Sequence, residues 1–239
     1  MLLVFVDETG DRDDLAYLGF SILTMNALFY PALKQQIHSI LDGIEWDPTV
    51  EFKGSYLFSQ SKGCSEVQVG KRVEAASKIL ALNIASDNSR MQFHYGRLSS
   101  SNHSDGYIEN LPKLLMKALP KPPKGAGKNL LSVVVDERSD IRPDKLQEVL
   151  APSITERGWI LLERISMAHS SRDTVGLMLA DIVGYLSSRI DTISNDAELF
   201  EGLTPERLES NGRLRKLRSS TELISKIHSF KQYRLITSS

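Results

Sequence analysis

The chain has 239 residues, of which 41% are hydrophobic and 25% charged, the balance of an ordinary globular protein with a substantial core. Its single cysteine, Cys64, excludes an internal disulfide framework and a cysteine-based zinc site, and a reducing cytoplasmic compartment is expected. No apolar stretch approaches the ~18 residues of a membrane span, and acids directly after residue 6 do not suit a secretory signal.

The net charge of −1 hides an uneven distribution of charge. Residues 1–16 contain five acids and one arginine, whereas residues 111–129 contain no acid and five lysines: Lys113, Lys117, Lys121, Lys124 and Lys128. A second basic stretch covers residues 211–218. One acidic segment with separate basic segments is typical of an enzyme that binds a polyanion and holds metal ions at a single site. The alternative is that these charged residues form ordinary solvated surface.

The first half of the chain opens with two strand patterns, and helical and strand patterns follow them. Residues 1–6 are a continuous apolar run, typical of a buried central strand, and residues 15–23 form a second apolar segment that can pair antiparallel with it. A helical pattern begins near Pro31 and ends at Gly43. Residues 50–53 are a short extended candidate, residues 67–84 have helical spacing, and residues 91–98 alternate as a strand does.

In the second half, the patterns predict a helix over 108–119, a flexible basic loop and a buried strand over 130–135. A helix over 143–150 and a strand over 159–165 precede the longest apolar helix, predicted over 174–188. These elements predict an α/β fold, a mixed β-sheet flanked by helices, over residues 1–190. A polar helical C-terminal extension, residues 191–239, is expected to pack on it.

Two predicted strands end in the same acidic pattern. Asp7 and Glu8 end the first strand, and Asp136 and Glu137 end the strand over 130–135. Ligands of an open α/β sheet collect beyond the carboxyl ends of its strands. If the two strands are parallel and close together, Asp7 and Asp136 lie side by side. Such carboxylates repel unless one is protonated or a cation lies between them, and Mg²⁺ or Mn²⁺ suits such a site. Acids that merely mark turns are the alternative.

The helix predicted over 174–188 carries one charged residue, Asp181. At ~100° per residue, Asp181 lies at the edge of the apolar face, beside Tyr185. Burying an unpaired carboxylate is costly, so Asp181 needs a metal, a cation or a hydrogen-bond donor. A structural salt bridge to Arg172 or Arg189 is the alternative.

Further candidates surround these three acids. Alternation places Glu51 and Lys53 on one face of the extended segment, which suits an anionic-substrate site, although a solvated edge strand explains them equally well. The five histidines show no metal-binding spacing, and His169 is of interest because it precedes the helix that carries Asp181. Acids that could support the site, or be plain loop charges, are Glu8, Asp11 and Glu137.

Short motifs accompany each of these acids. They are Phe-Val-Asp-Glu-Thr-Gly-Asp over 5–11 with Leu-Gly-Phe over 18–20, Val-Val-Val-Asp-Glu over 133–137, Gly-Leu-Met-Leu-Ala-Asp over 176–181, and Glu-Phe-Lys over 51–53. Together they resemble a large prokaryotic family of domains of unknown function, number 3800 in the usual series, which is thought to be RNase H-like. The family's acids are kept, while Thr9 stands where Ser is usual and Met178 where Gln is usual.

The resemblance implies an RNase H-like fold and a nuclease that hydrolyses phosphodiester bonds of DNA or RNA. In such enzymes acids from the first strand, a later strand and a late helix bind two metal ions, which activate water and steady the leaving oxygen. Carried over to this chain, the ligands are Asp7, Asp136 and Asp181, with Glu51 as a fourth catalytic candidate. Lys53 and the lysines of 113–128 would contact the phosphate backbone. The alternative is a non-catalytic nucleic-acid- or partner-binding module of a defence or mobile-element system.

Overall fold

The structure, a computed structural model, describes residues 1–9, 18–59, 61–82, 91–98, 103–125, 128–195 and 233–236. Within these ranges the chain forms seven β-strands and five α-helices. In chain order they are β1 (Leu2–Thr9), β2 (Leu18–Asn26), α1 (Tyr30–Asp42), α2 (Val69–Ala81), β3 (Met91–Leu98), α3 (His103–Ala118), β4 (Leu130–Asp136), α4 (Pro143–Glu156), β5 (Ile160–Leu161), β6 (Ser166–Ala168), α5 (Val175–Asn195) and β7 (Tyr233–Ile236).

The strands form one sheet with β1 near its centre, as the opening apolar run predicts. The strand order is β5-β4-β1-β2-β3-β7, and β6 also pairs with β4. β1 pairs antiparallel with β2 and parallel with β4, and β2 pairs antiparallel with β3. The sheet is therefore mixed, and the predicted α/β fold with a mixed sheet flanked by helices is confirmed.

Helices cover both faces of this sheet. One face packs against α1, α2 and α5 through a core that includes Phe5 and Leu23. The other face packs against α3 and α4 through a core that includes Val6 and Ile22. Because successive strand residues point to opposite faces, the positions two residues beyond Phe5 and Val134 also face α5. No helix in the described part of the chain is long and apolar enough to cross a membrane.

Some predicted elements differ from the observed ones. The strand predicted over 159–165 is instead the two short strands β5 and β6, because residues 162–164 between them are exposed. Residues 51–53 form no strand, and α4 extends to Glu156 beyond its predicted end. In the tail predicted to be helical, Tyr233–Ile236 form β7 by parallel pairing with the open edge of β3. The remaining tail from residue 196, the basic stretch 211–218 and Asp11 lie outside the described residues.

Candidate functional site

The strand register brings Asp7 and Asp136 together. Val6 pairs with Val135 in the parallel ladder, so the next residues, Asp7 and Asp136, lie at the same level on neighbouring strands. Both belong to the face that α5 covers, and each side chain affects the pKa of the other: the charge of Asp136 raises that of Asp7, and hydrogen bonding with Asp7 lowers that of Asp136. Asp7 is 6% exposed. Two acids thus meet at the carboxyl ends of adjacent parallel strands, where open sheets bind ligands.

Asp181 lies on α5, the helix that packs across β1 and β2. Its Oδ2 accepts a hydrogen bond from the Gly54 backbone N–H at 2.5 Å. Only a glycine fits at position 54, because a Cβ there would lie 2.5 Å from Cβ of Tyr185 on the same helix. The segment that follows Glu51 and Lys53 therefore approaches α5 closely enough for its backbone to bind Asp181.

The salt bridge considered for Asp181 with Arg172 does not form. Arg172 instead pairs with Asp42, with 2.5 Å between the guanidinium and the carboxylate. The side chain of Arg189 lies outside the described residues. Among the described cations, Lys53 is the one whose charge lowers the pKa of Asp181.

Glu51 and Lys53 reach the same place from an irregular segment. Lys53 Nζ lies 2.8 Å from Glu51 Oε2, while Glu51 Oε1 is buried and has no hydrogen-bond partner in the described part of the chain. Glu51 raises and Lys53 lowers the pKa of Asp7, Asp136 and Asp181, so both side chains face those acids. We call Asp7, Glu51, Asp136 and Asp181 the acid cluster.

Three members of the acid cluster have pKa values above the ordinary range. Burial raises the pKa of Asp7 well above 3.8, and the negative charges of Asp181 and Asp136 add to the effect. Burial also raises the pKa of Asp181 to about 7, against the opposing effects of the Gly54 hydrogen bond and of Lys53. Burial raises the pKa of Asp136 in the same way. The site therefore concentrates more carboxylates than its surroundings can hold ionised near neutral pH.

The donor chemistry of the acid cluster fits a hard divalent cation. Its ligand atoms are all carboxylate oxygens, and Glu51 Oε1 is a buried acceptor that a cation or its water would satisfy. Among the described residues, no three Asp, Glu, His or Cys side chains already stand together as a ligand set for a metal ion. Glu51 is paired with Lys53, so metal binding requires the acid side chains to turn towards a shared cation.

The supporting acids predicted beside the strands lie in two different places. Glu8 pairs with Arg138, and strand alternation puts it on the sheet face opposite Asp7. Glu137 follows the end of β4, and its Oε2 lies 3.0 Å from Nε2 of His169. That pair is largely exposed, with 50% of the Glu137 side chain and 81% of the His169 side chain accessible. Glu8 is thus not part of the acid cluster, and Glu137 and His169 form an exposed pair directly after β4 and β6.

The lysines predicted to bind nucleic acid lie away from the acid cluster. Lys113 and Lys117 are on α3, which packs on the opposite face of the sheet, and Lys113 pairs with Glu109 at 2.9 Å. Lys121, Lys124 and Lys128 are exposed before the start of β4, whereas Asp136 ends that strand. Seven strand residues at ~3.3 Å each separate the two ends by about 20 Å. Because α3 leads the chain back to the start of a parallel strand, these lysines do not join the acids, and their contact with the phosphate backbone of a nucleic acid stays a prediction.

Three residues beside the acid cluster were not predicted from the sequence. Gly54 binds Asp181, the Ser170 N–H donates to Asp136 Oδ1 at 3.3 Å, and Ser21 pairs with Asp7 across the β1–β2 ladder. Ser170 and Gly54 act through backbone groups, which any sequence offers. A glycine directly after Glu-Phe-Lys was the available signal of close backbone approach.

Comparison with known proteins gives distant structural matches only. No protein-family model matches the sequence, so membership of the domain family numbered 3800 stays a prediction, and no curated protein matches it. Among solved structures, the chain is similar to one from the PCNA:RNase HII complex of Archaeoglobus fulgidus, with 14% identity, coverage of 94% of this chain and 89% of that chain, and a TM-score of 0.46. It is also similar to ribonuclease H2 from Pyrococcus horikoshii OT3, with 11% identity, coverage of 94% and 99%, and a TM-score of 0.38.

Both matched structures contain ribonucleases of the H type. Because both TM-scores and both identities are low, the two likenesses carry no argument about the activity, substrate or partners of this chain.

Proposed function

We propose that this chain is a divalent-metal-dependent nuclease that hydrolyses phosphodiester bonds of DNA or RNA, with two Mg²⁺ or Mn²⁺ ions in the presence of substrate. The observation that supports this is the convergence of four carboxylates from four separate parts of the chain, three of them with raised pKa values. Raised pKa values together with specific charged neighbours are characteristic of functional sites.

Each acid has a support that suits a ligand. Asp7 and Asp136 are fixed by neighbouring strands, and Asp181 is held by the Gly54 N–H on a long helix. Glu51 is the fourth ligand, with a buried oxygen that has no hydrogen-bond partner among the described residues. When bound, divalent ions at such a site supply activation of water and stabilisation of the leaving oxygen.

Lys53 has a separate role in this proposal. Its ammonium group lies among the acids and is bound to Glu51 at 2.8 Å. A cation that binds Glu51 would replace Lys53 as its partner and free the ammonium group for a phosphate oxygen of the substrate. Lys53 thereby orients the polyanion beside the acids.

A structural role for the acids is the main competing explanation. Buried polar networks can specify a fold without binding a ligand, and a nucleic-acid-binding module would not need a metal site. Such a network is expected to satisfy its own members. The unpartnered Glu51 Oε1 and the mutual repulsion of the acids favour a site that binds a cation.

The test is cleavage of single- and double-stranded DNA and RNA with Mg²⁺, Mn²⁺ or chelator. The variants Asp7→Asn and Asp181→Asn remove charge from the acid cluster with little change of shape. Asp144→Asn is the matched control, because Asp144 is a surface acid on α4, on the opposite face of the sheet. We expect metal-dependent cleavage by the wild type and Asp144→Asn and none by the two cluster variants, all four being folded by circular dichroism.

Two results would contradict the proposal. Equal cleavage by the cluster variants and the wild type would show that the acids do not carry the activity. Nucleic-acid binding without cleavage, unchanged in Asp7→Asn and Asp181→Asn and indifferent to chelator, would favour the binding module instead.

A further inference from the structure

Three buried side-chain oxygens without a hydrogen-bond partner occur at or beside the acid cluster. They are Glu51 Oε1, Ser21 Oγ and Ser170 Oγ. Glu51 is a member of the cluster, the Ser170 backbone N–H binds Asp136, and Ser21 pairs with Asp7. Buried polar atoms are normally paired, so unpaired ones at one place indicate partners that arrive with a ligand.

Ser21 is the most closely defined of the three. It lies directly opposite Asp7 in the antiparallel β1–β2 ladder, so both side chains stand on the same face of the sheet. Directly opposite residues have Cβ atoms about 4.5–5.5 Å apart, close enough for a hydroxyl to reach a carboxylate when the side chains rotate.

The surroundings of Ser21 close it off from water. Ser21 is 0% exposed, and Gly184 of α5 packs so tightly on it that a Cβ there would lie 3.0 Å from Cβ of Ser21. A hydroxyl in this position can gain a partner only from a side chain already beside it. Asp7, directly opposite it on β1, is the acid in that position.

We propose that Ser21 is a positioning residue whose hydroxyl donates a hydrogen bond to the Asp7 carboxylate when the acid cluster holds a divalent cation. A carboxylate ligand gives one oxygen to the cation and has further acceptor positions, which outer donors use to fix its orientation. When one Asp7 oxygen turns towards a cation, the other is an acceptor within reach of the Ser21 hydroxyl directly opposite it. This inference rests on the proposed metal site.

Ser21→Ala separates this role from a merely structural one. Its hydroxyl has no partner, so removing it should leave the stability of the chelator-treated protein unchanged or slightly higher. Losses on mutation of such supporting groups are typically 10- to 100-fold in metal affinity, so we expect Mn²⁺ to bind about 10-fold more weakly. Ser187→Ala is the control for Mn²⁺ affinity, because Ser187 is a buried serine, 3% exposed, that lies beyond Asp181 on α5.

The experiment measures Mn²⁺ affinity by isothermal titration calorimetry and stability in chelator by urea unfolding, for the wild type, Ser21→Ala, Ser187→Ala and Asp7→Asn. The expected result is that Ser21→Ala binds Mn²⁺ more weakly without losing stability, while Ser187→Ala binds Mn²⁺ like the wild type. If Asp7→Asn loses Mn²⁺ while Ser21→Ala binds it like the wild type, the role of Ser21 is refuted and the metal site stands. The role of Ser21 would also be refuted if Ser21→Ala lost stability in chelator to the same extent as it lost Mn²⁺ affinity. If the wild type does not bind Mn²⁺, both the metal site and the role of Ser21 are refuted.

Discussion

Replacing Asp181 by Asn should change how the stability of the protein depends on pH. Asp181 is held among other acids with its pKa raised to about 7, chiefly by burial, whereas in the unfolded chain it ionises near 3.8. Between these values the folded protein keeps a proton that the unfolded chain releases. Rising pH therefore favours the unfolded chain, and the wild type loses stability from about pH 4 to about pH 7.

The size of this effect follows from the two pKa values. The difference between 3.8 and about 7 corresponds to about 4 kcal/mol of unfolding free energy. About 3 kcal/mol of this falls between pH 5 and pH 8. Asn has no proton to lose, and its side-chain oxygen can still accept from the Gly54 N–H. Asp181→Asn should therefore gain about 3 kcal/mol relative to the wild type over that interval.

Urea unfolding in chelator at pH 5, 6, 7 and 8 measures this gain directly. Asp144→Asn, at an exposed position on α4, should follow the wild type at every pH. Adding Mn²⁺ should restore stability to the wild type at pH 8 and do little for Asp181→Asn, because a cation at the cluster stabilises the ionised carboxylate. Parallel pH profiles for the wild type and Asp181→Asn would show that Asp181 does not carry the raised pKa and would refute the reasoning.

Three further substitutions test the packing and charge around the cluster. Gly54→Ala puts a Cβ 2.5 Å from Cβ of Tyr185 and should break the hydrogen bond to Asp181; we expect a loss of about 3 kcal/mol in urea unfolding, and an unchanged midpoint would contradict the close contact. Lys53→Gln removes a cation that offsets the charge of the acids, so the unfolding free energy of the chelator-treated protein should fall by about 1–2 kcal/mol at pH 8 and by less at pH 5. If Lys53 were solvated surface, the loss would not depend on pH. The guanidinium of Arg72, a residue 1% exposed, donates to five backbone carbonyls between residues 56 and 67. Arg72→Leu leaves these carbonyls unpaired, so thermal unfolding should show a loss of about 4 kcal/mol in stability. A small loss would mean that the loop after Gly54 does not depend on Arg72.

Local patterns predicted the main elements of the fold because their signals are contained within one segment. The apolar run 1–6 is the buried strand β1, and the alternating residues 91–98 coincide with β3. The helix that carries Asp181 was predicted over 174–188 and runs over Val175–Asn195. β5, β6 and β7 were not predicted individually, because strands of two to four residues carry little periodicity and form through their partners in the sheet.

The sequence by itself determined which acids stand out, because a carboxylate at a strand exit or on an apolar helix is costly unless something binds it. It could not determine where the irregular segment 51–54 would lie, since its position depends on contacts with α5 far along the chain. Only the tertiary structure brought Glu51, Lys53 and Gly54 to Asp181 and paired Ser21 with Asp7. It also placed the lysine-rich loop at the opposite end of β4, because the crossover through α3 returns the chain to the start of a parallel strand.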